Sequence, residues 1–176
     1  MSDGPVPGTQ ALAQLRSGFD QGFAAAPRGS EAHEFVILIR VAGEVFAIRP
    51  CDIAGLVRSR KIVPVPSRTK ELLGVTALRG ALIPVYDLAA LLGIPPGTGG
   101  LSWLVLAPGD TPIALAFDRF EGQQIPEWLS ERSERQHVRQ LVRTGSTIRA
   151  VLDVRGLAEA IRKGAGIKEP AKEREQ

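Results

Sequence analysis

The sequence predicts an all-β fold with short helices, organised as two small five-stranded β-barrel subdomains related by an internal repeat. Three observations predict it. Short runs of β-branched and aromatic residues recur along residues 34–163, separated by Gly-containing turns. The same order of runs and turns returns at a fixed offset of 66 residues. Each copy ends on a Val-x-Asp triplet, Val85-Tyr86-Asp87 and Val151-Leu152-Asp153, followed by a short helical pattern.

The elements follow in order. Phe35–Val41 and Val45–Ile48 flank Ala42-Gly43-Glu44 and read as a hairpin, with Gly43 free to take the positive φ of a tight turn. In this hairpin Ile37, Ile39, Phe46 and Ile48 are expected to turn one face into a barrel while their neighbours point outward. Val75–Leu78 and Ala81–Tyr86 flank Arg79-Gly80 and read as a second hairpin. Pro84 has no N–H for a ladder, which predicts an edge or bulged strand there. Asp87 is a helix N-cap for Leu88–Leu92, which Gly93 and Pro95 stop.

Gly97-Thr98-Gly99-Gly100 lacks a following Lys-Ser/Thr and reads as the linker between copies. The second copy then runs Leu101–Ala107, a turn at Gly109-Asp110, Pro112–Phe117 and a late hairpin within Leu141–Leu152. Asp153 caps the closing helix, residues 153–162. Trp103 and Val105 should match Ile37 and Ile39 in the other copy. Neither copy alone would bury much surface, so the barrels are expected to intertwine as one domain, 34–163.

Outside this core, residues 1–33 read as a mobile extension in which Leu12, Leu15, Phe19 and Phe23 fall on one helical face. Residues 164–176 read as a charged, disordered tail. Of the net charge of +3, the front segment contributes −1 and the tail 0, so the core carries +4. Within it, Arg58, Arg60, Lys61, Arg68 and Lys70 form a basic stretch, whereas residues 130–143 alternate Glu and Arg as a solvated face does.

Several function classes recede on composition. The 176 residues are 44% hydrophobic and 23% charged, ordinary globular usage. The single cysteine, Cys51, has no partner for a disulfide and no Cys/His cluster for a metal. His33 and His137 belong to no nucleophile–base or metal motif, so no catalytic residue, cofactor or metal is expected. No secretory signal and no run of 18 apolar residues is visible, which predicts a cytoplasmic chain without direct membrane insertion. The basic stretch 58–70 holds no Phe, Tyr or Trp, which argues against a nucleic-acid-binding small barrel.

The run Leu73-Gly74-Val75-Thr76-Ala77-Leu78-Arg79-Gly80-Ala81-Leu82-Ile83-Pro84-Val85-Tyr86-Asp87-Leu88 closely resembles the signature of the CheW family, bacterial chemotaxis coupling proteins. The hairpin 35–48 and Ala114–Asp118 match that family's order, so the likeness spans about 34–163. It implies two SH3-like five-stranded barrels and a non-enzymatic adaptor. Such an adaptor bridges the cytoplasmic tip of a chemoreceptor to the regulatory domain of a CheA-type histidine kinase, in receptor arrays at the membrane. Receptors would dock between the barrels and the kinase at barrel ends. The partner-binding residues implied are Arg79 and Gly80 at the hairpin turn, Leu78 beside them, and Val57 and Arg58 upstream. Gly43, Asp87 and Asp153 are the turn and cap residues.

The chain departs from the family pattern at two places. Ala77 stands where the family usually has Asn, and the segment Ile53-Ala54-Gly55-Leu56-Val57 has no acidic residue, where one is common. Both departures remove polar groups from beside Arg79. They leave a second reading, a specialised paralogue that binds a kinase or another partner but not receptors.

Overall fold

The structure, a computed structural model, describes residues 34–131, 133 and 135–164. The Leu12–Phe23 pattern and the tail beyond Gly164 lie outside the described residues. The first copy comprises β1 (Val36–Val41), β2 (Glu44–Ile48), a 3-10 turn at Pro50–Asp52, β3 (Gly55–Arg58), β4 (Leu72–Leu78), β5 (Ala81–Asp87) and α1 (Leu88–Leu91). The second comprises β6 (Trp103–Ala107), β7 (Ile113–Phe117), β8 (Arg119–Gln124), β9 (Glu127–Trp128), β10 (Val138–Thr144), β11 (Thr147–Leu152) and α2 (Val154–Gly164).

Local chemistry sets the turns. Ala42 and Gly43 both take positive φ, 48° and 91°, which suits a primed two-residue turn. Val41 therefore pairs directly with Glu44, one residue earlier than the sequence reading of β2. Asp87 accepts from the Ala89 and Ala90 amides at 2.9 and 3.4 Å, and Asp153 from Gly156 at 3.0 Å, so both aspartates cap helices. Helix α2 runs on through Gly164, and buried Arg162 donates from it to the carbonyls of Pro108 and Thr111.

The repeat survives in three dimensions. β10, β11 and α2 begin 66 residues after β4, β5 and α1. Even the irregularity is copied: the β4–β5 register shifts between Leu72 and Gly74, and the β10–β11 register between Val138 and Gln140.

Two sheets form, ordered β8-β1-β2-β11-β10-β9 and β3-β6-β7-β5-β4. Each combines both copies. The hairpin β1–β2 of the first copy joins the late strands of the second, through Val151 beside Ala47. Reciprocally, β6–β7 joins the late strands of the first copy, through Val85 beside Ala114. Each sheet then curls toward closure. In the five-stranded sheet the segment after β3 bridges to β4 at Val63 and Val75; in the other, β9 pairs with β10. The short β9 accounts for the sixth strand.

Exchange of hairpins gives three cores. Val36, Leu38, Ala47, Val142 and Val151 fill the interior of the six-stranded sheet. The repeat-equivalent set, including Leu104, Ala114 and Val85, fills the other. Between the sheets lies the largest core, with Ile39, Phe46, Ile48, Val105, Leu115, Phe117, Leu152 and Leu157. Ile37, Ile39, Phe46 and Ile48 thus face the seam between barrels, and their alternates Val36, Leu38 and Ala47 are buried too. The expected outward face does not exist on this hairpin, because both sides of β1 are covered. Full burial of each such side chain contributes roughly 1.5–3 kcal/mol, so this seam binds the two barrels into one unit.

Pro84 corrects the sequence reading as well. Its strand is central, between β7 and β4. The N–H and carbonyl of Val75, its cross-strand partner, both bond to Val63 on the far side of β4. Pro84 therefore turns its nitrogen away from β4, toward β7, where pairing begins only at Val85. No ladder bond is lost, and the proline is tolerated without an edge.

Candidate functional site

The β4–β5 hairpin ends in Arg79-Gly80, with φ of 51° and 81° and Leu78 paired to Ala81. Two consecutive positive φ values again suit a primed hairpin turn, and Gly80 meets them without the Cβ penalty. Arg79 is exposed and forms no ion pair among the described residues. A guanidinium held on a rigid tip can offer several N–H donors to a carboxylate.

The other residues singled out by sequence divide into two settings. Leu78 and half-buried Val57 pack in the same barrel interior, with Ile83 and Val85, so they support the tip from beneath. Arg58 lies on the opposite face of β3, its guanidinium 4.9 Å from the centroid of the Trp103 ring. Trp103 in turn meets Phe120 at 5.6 Å. The structure thus brings Val57 and Leu78 together and sends Arg58 to another surface. Gly43, Asp87 and Asp153 sit at the turn and caps described above.

Some features had no local signal. Asp52 is buried and held by Arg139 at 3.4 Å and Arg155 at 3.1 Å, groups that are 87 and 103 positions away in the chain. The arginines of the 130–143 stretch likewise reach carboxylates elsewhere: Arg135 meets Glu44 at 2.7 Å and Arg143 meets Glu127 at 2.9 Å. Arg40 donates to Glu121 at 2.6 Å, and that hydrogen bond holds the Glu121 carboxyl below its ordinary pKa. Leu82, 73% exposed, was open to a sequence reading: with Ile83 and Val85 pointing inward, Leu82 must point out. Gly74 is a further residue of this kind; a Cβ there would lie 2.2 Å from the Val63 carbonyl oxygen.

Among the described residues no group of three or more His, Cys, Asp and Glu side chains could hold a metal ion. No helix among them is long and apolar enough to cross a membrane.

A search of curated proteins by sequence returned no match. Among solved structures the fold is similar to that of the scaffolding protein TtCheW from Thermoanaerobacter tengcongensis. The TM-score is 0.61 at 18% identity, covering 70% of this chain and 91% of that one. The CheW-like domain profile matches residues 36–162, which takes in both sheets, the Arg79 hairpin and nearly all of the closing helix. The chain belongs to the CheW-like domain family.

Proposed function

We propose that this chain is a non-enzymatic chemosensory adaptor that couples the cytoplasmic tip of a chemoreceptor to a CheA-type histidine kinase. Membership of the CheW-like family over residues 36–162 supports the adaptor role, as does the likeness to a protein described as a scaffold. The single observation that carries the contact is Arg79, an exposed guanidinium without an ion pair among the described residues, on a rigid two-residue turn. Gly80 forms the turn with it, Leu78 and Val57 brace the barrel end, and Arg58 offers a second cation stacked on Trp103.

The test separates folding from binding. An exposed arginine contributes about 0–1 kcal/mol to stability, whereas a desolvated one at an interface costs roughly 2 kcal/mol or more when truncated. Arg79→Ala should leave the Tm within a few degrees and weaken binding to the receptor tip or kinase regulatory domain by about tenfold or more. Arg79→Glu should be worse. Normal binding of both partners by folded Arg79→Ala would sink this assignment. Ala77 favours a second reading, a paralogue that keeps the kinase and ignores receptors; titrating the two purified partners separately decides between them.

A further inference from the structure

The outer face of the β4–β5 hairpin is unlike its counterpart in the other barrel. Pairings Ala77–Leu82 and Val75–Pro84 place four side chains on the side opposite the barrel interior, and the Val63–Val75 bridge adds Val63 beside them. Leu82 is 73% and Val63 49% exposed, and Ala77 is open to solvent. The equivalent face of the second copy carries Arg143 in place of Ala77, opposite Ile148, and that arginine is closed off by Glu127 at 2.9 Å. Both faces expose an aliphatic side chain, Leu82 at 73% and Ile148 at 53%, but only the second has a charged group at the Ala77 position, and that group is already paired.

The charges around the two faces differ in the same sense. Residues 58–80 hold six cations, Arg58, Arg60, Lys61, Arg68, Lys70 and Arg79, against one carboxylate, Glu71. Among the described residues none of the six forms an ion pair, whereas all five ion pairs fall on β1, β2, the Pro50–Asp52 turn, β8–β10 and α2. Lys61 lies two positions before Val63 on the segment that bridges to β4, and its carbonyl accepts from Thr76 Oγ1 at 3.1 Å.

We propose that this face docks an amphipathic helix of a partner protein, apolar on one side and acidic along its flanks. Unpaired cations beside an exposed apolar strip are complementary to that chemistry. Width agrees: segment 61–63, β4 and β5 are three backbones at roughly 4.8 Å spacing, close to the roughly 10–12 Å diameter of a helix. The proposal rests on the adaptor reading and names the partner chemistry for one of its surfaces.

The test uses the full chain and two labelled synthetic helices that share one apolar face, one flanked by Glu and the other by Lys. Fluorescence anisotropy and amide chemical-shift mapping should show the acidic helix binding over residues 60–63 and 75–84. Its affinity should fall as salt rises. Leu82→Ser and Lys61→Glu should each weaken it about tenfold with the Tm unchanged, and the Lys-flanked helix should not bind. Equal binding of both helices, or shifts mapping to another face, overturns the proposal. So does Leu82-dependent self-association, which would make a second copy the occupant, or duplex DNA binding abolished by Lys61→Glu. Receptor-tip and kinase fragments are titrated in parallel. If they bind and depend on Arg79 while the acidic helix ignores Leu82→Ser, this proposal fails and the adaptor reading stands; the reverse pattern fails the adaptor reading alone.

Discussion

Replacing Gly74 by Ala tests how the second barrel closes. Gly74 sits in the β4 bulge at φ +145°, where the 63–64 backbone crosses it, and an added Cβ would meet Val63 O at 2.2 Å, Val63 C at 2.7 Å and Pro64 Cα at 2.9 Å. These are backbone atoms held by reciprocal Val63–Val75 hydrogen bonds of 2.8 and 2.9 Å, so they yield only by opening the closure. Overpacking of this kind costs about 1–3 kcal/mol, and the unfavourable φ about 1–3 more. Gly80→Ala is the control, because Gly80 also has positive φ but its Cβ would meet nothing within 4 Å. That substitution carries only the left-handed penalty of about 1–2 kcal/mol. Urea unfolding followed by tryptophan fluorescence reads both barrels, since Trp103 lies in one sheet and Trp128 in the other. Gly74→Ala should lose about 2–6 kcal/mol and exceed Gly80→Ala by the steric part alone. Equal losses would refute the argument that backbone crossing makes this position a glycine. The second copy solves the same crossing differently: Gln140 stands at the Gly74 position, and its Nε2 donates to the Leu129 carbonyl at 3.1 Å.

Other perturbations reach the remaining parts of the fold. Asp87→Ala and Asp153→Ala should each cost on the order of 1 kcal/mol in urea unfolding, while Asn at either position should keep most of the stability; a neutral Ala at both would deny the caps. Phe117→Ala, in the seam between the sheets, should destabilise by about 3–5 kcal/mol and lower both tryptophan transitions together. Separate transitions would mean that the barrels unfold independently. Because the folded Glu121 pKa lies below its unfolded value, its stabilisation is complete above about pH 4.3 and fades as pH falls through the folded pKa. Glu121→Gln should therefore flatten that part of the acid stability curve, and an unchanged curve would deny the role of Arg40.

Much of the fold is legible in local sequence. Period-two runs, the Arg79-Gly80 and Ala42-Gly43 turns, and the two capping aspartates all depend on residues a few positions apart. The offset of 66 is legible for the same reason, since each copy repeats the same local chemistry. The candidate site is half legible: Arg79 at an exposed turn follows from its neighbours, and Leu82 follows from strand phase.

Local patterning settles which residues extend, where the chain turns, and which residues share a strand face. Which strands meet is set by packing between distant segments. The two copies are so alike that β2 beside β11 and β2 beside β5 satisfy the same local pattern, so the exchange of hairpins leaves no mark on either copy alone. That exchange covers the second side of β1, lets Pro84 sit in a central strand, and carries Arg139 and Arg155 to Asp52. Pairing energies between distant segments are non-local, and alternation with period two specifies a face but never the neighbour that covers it.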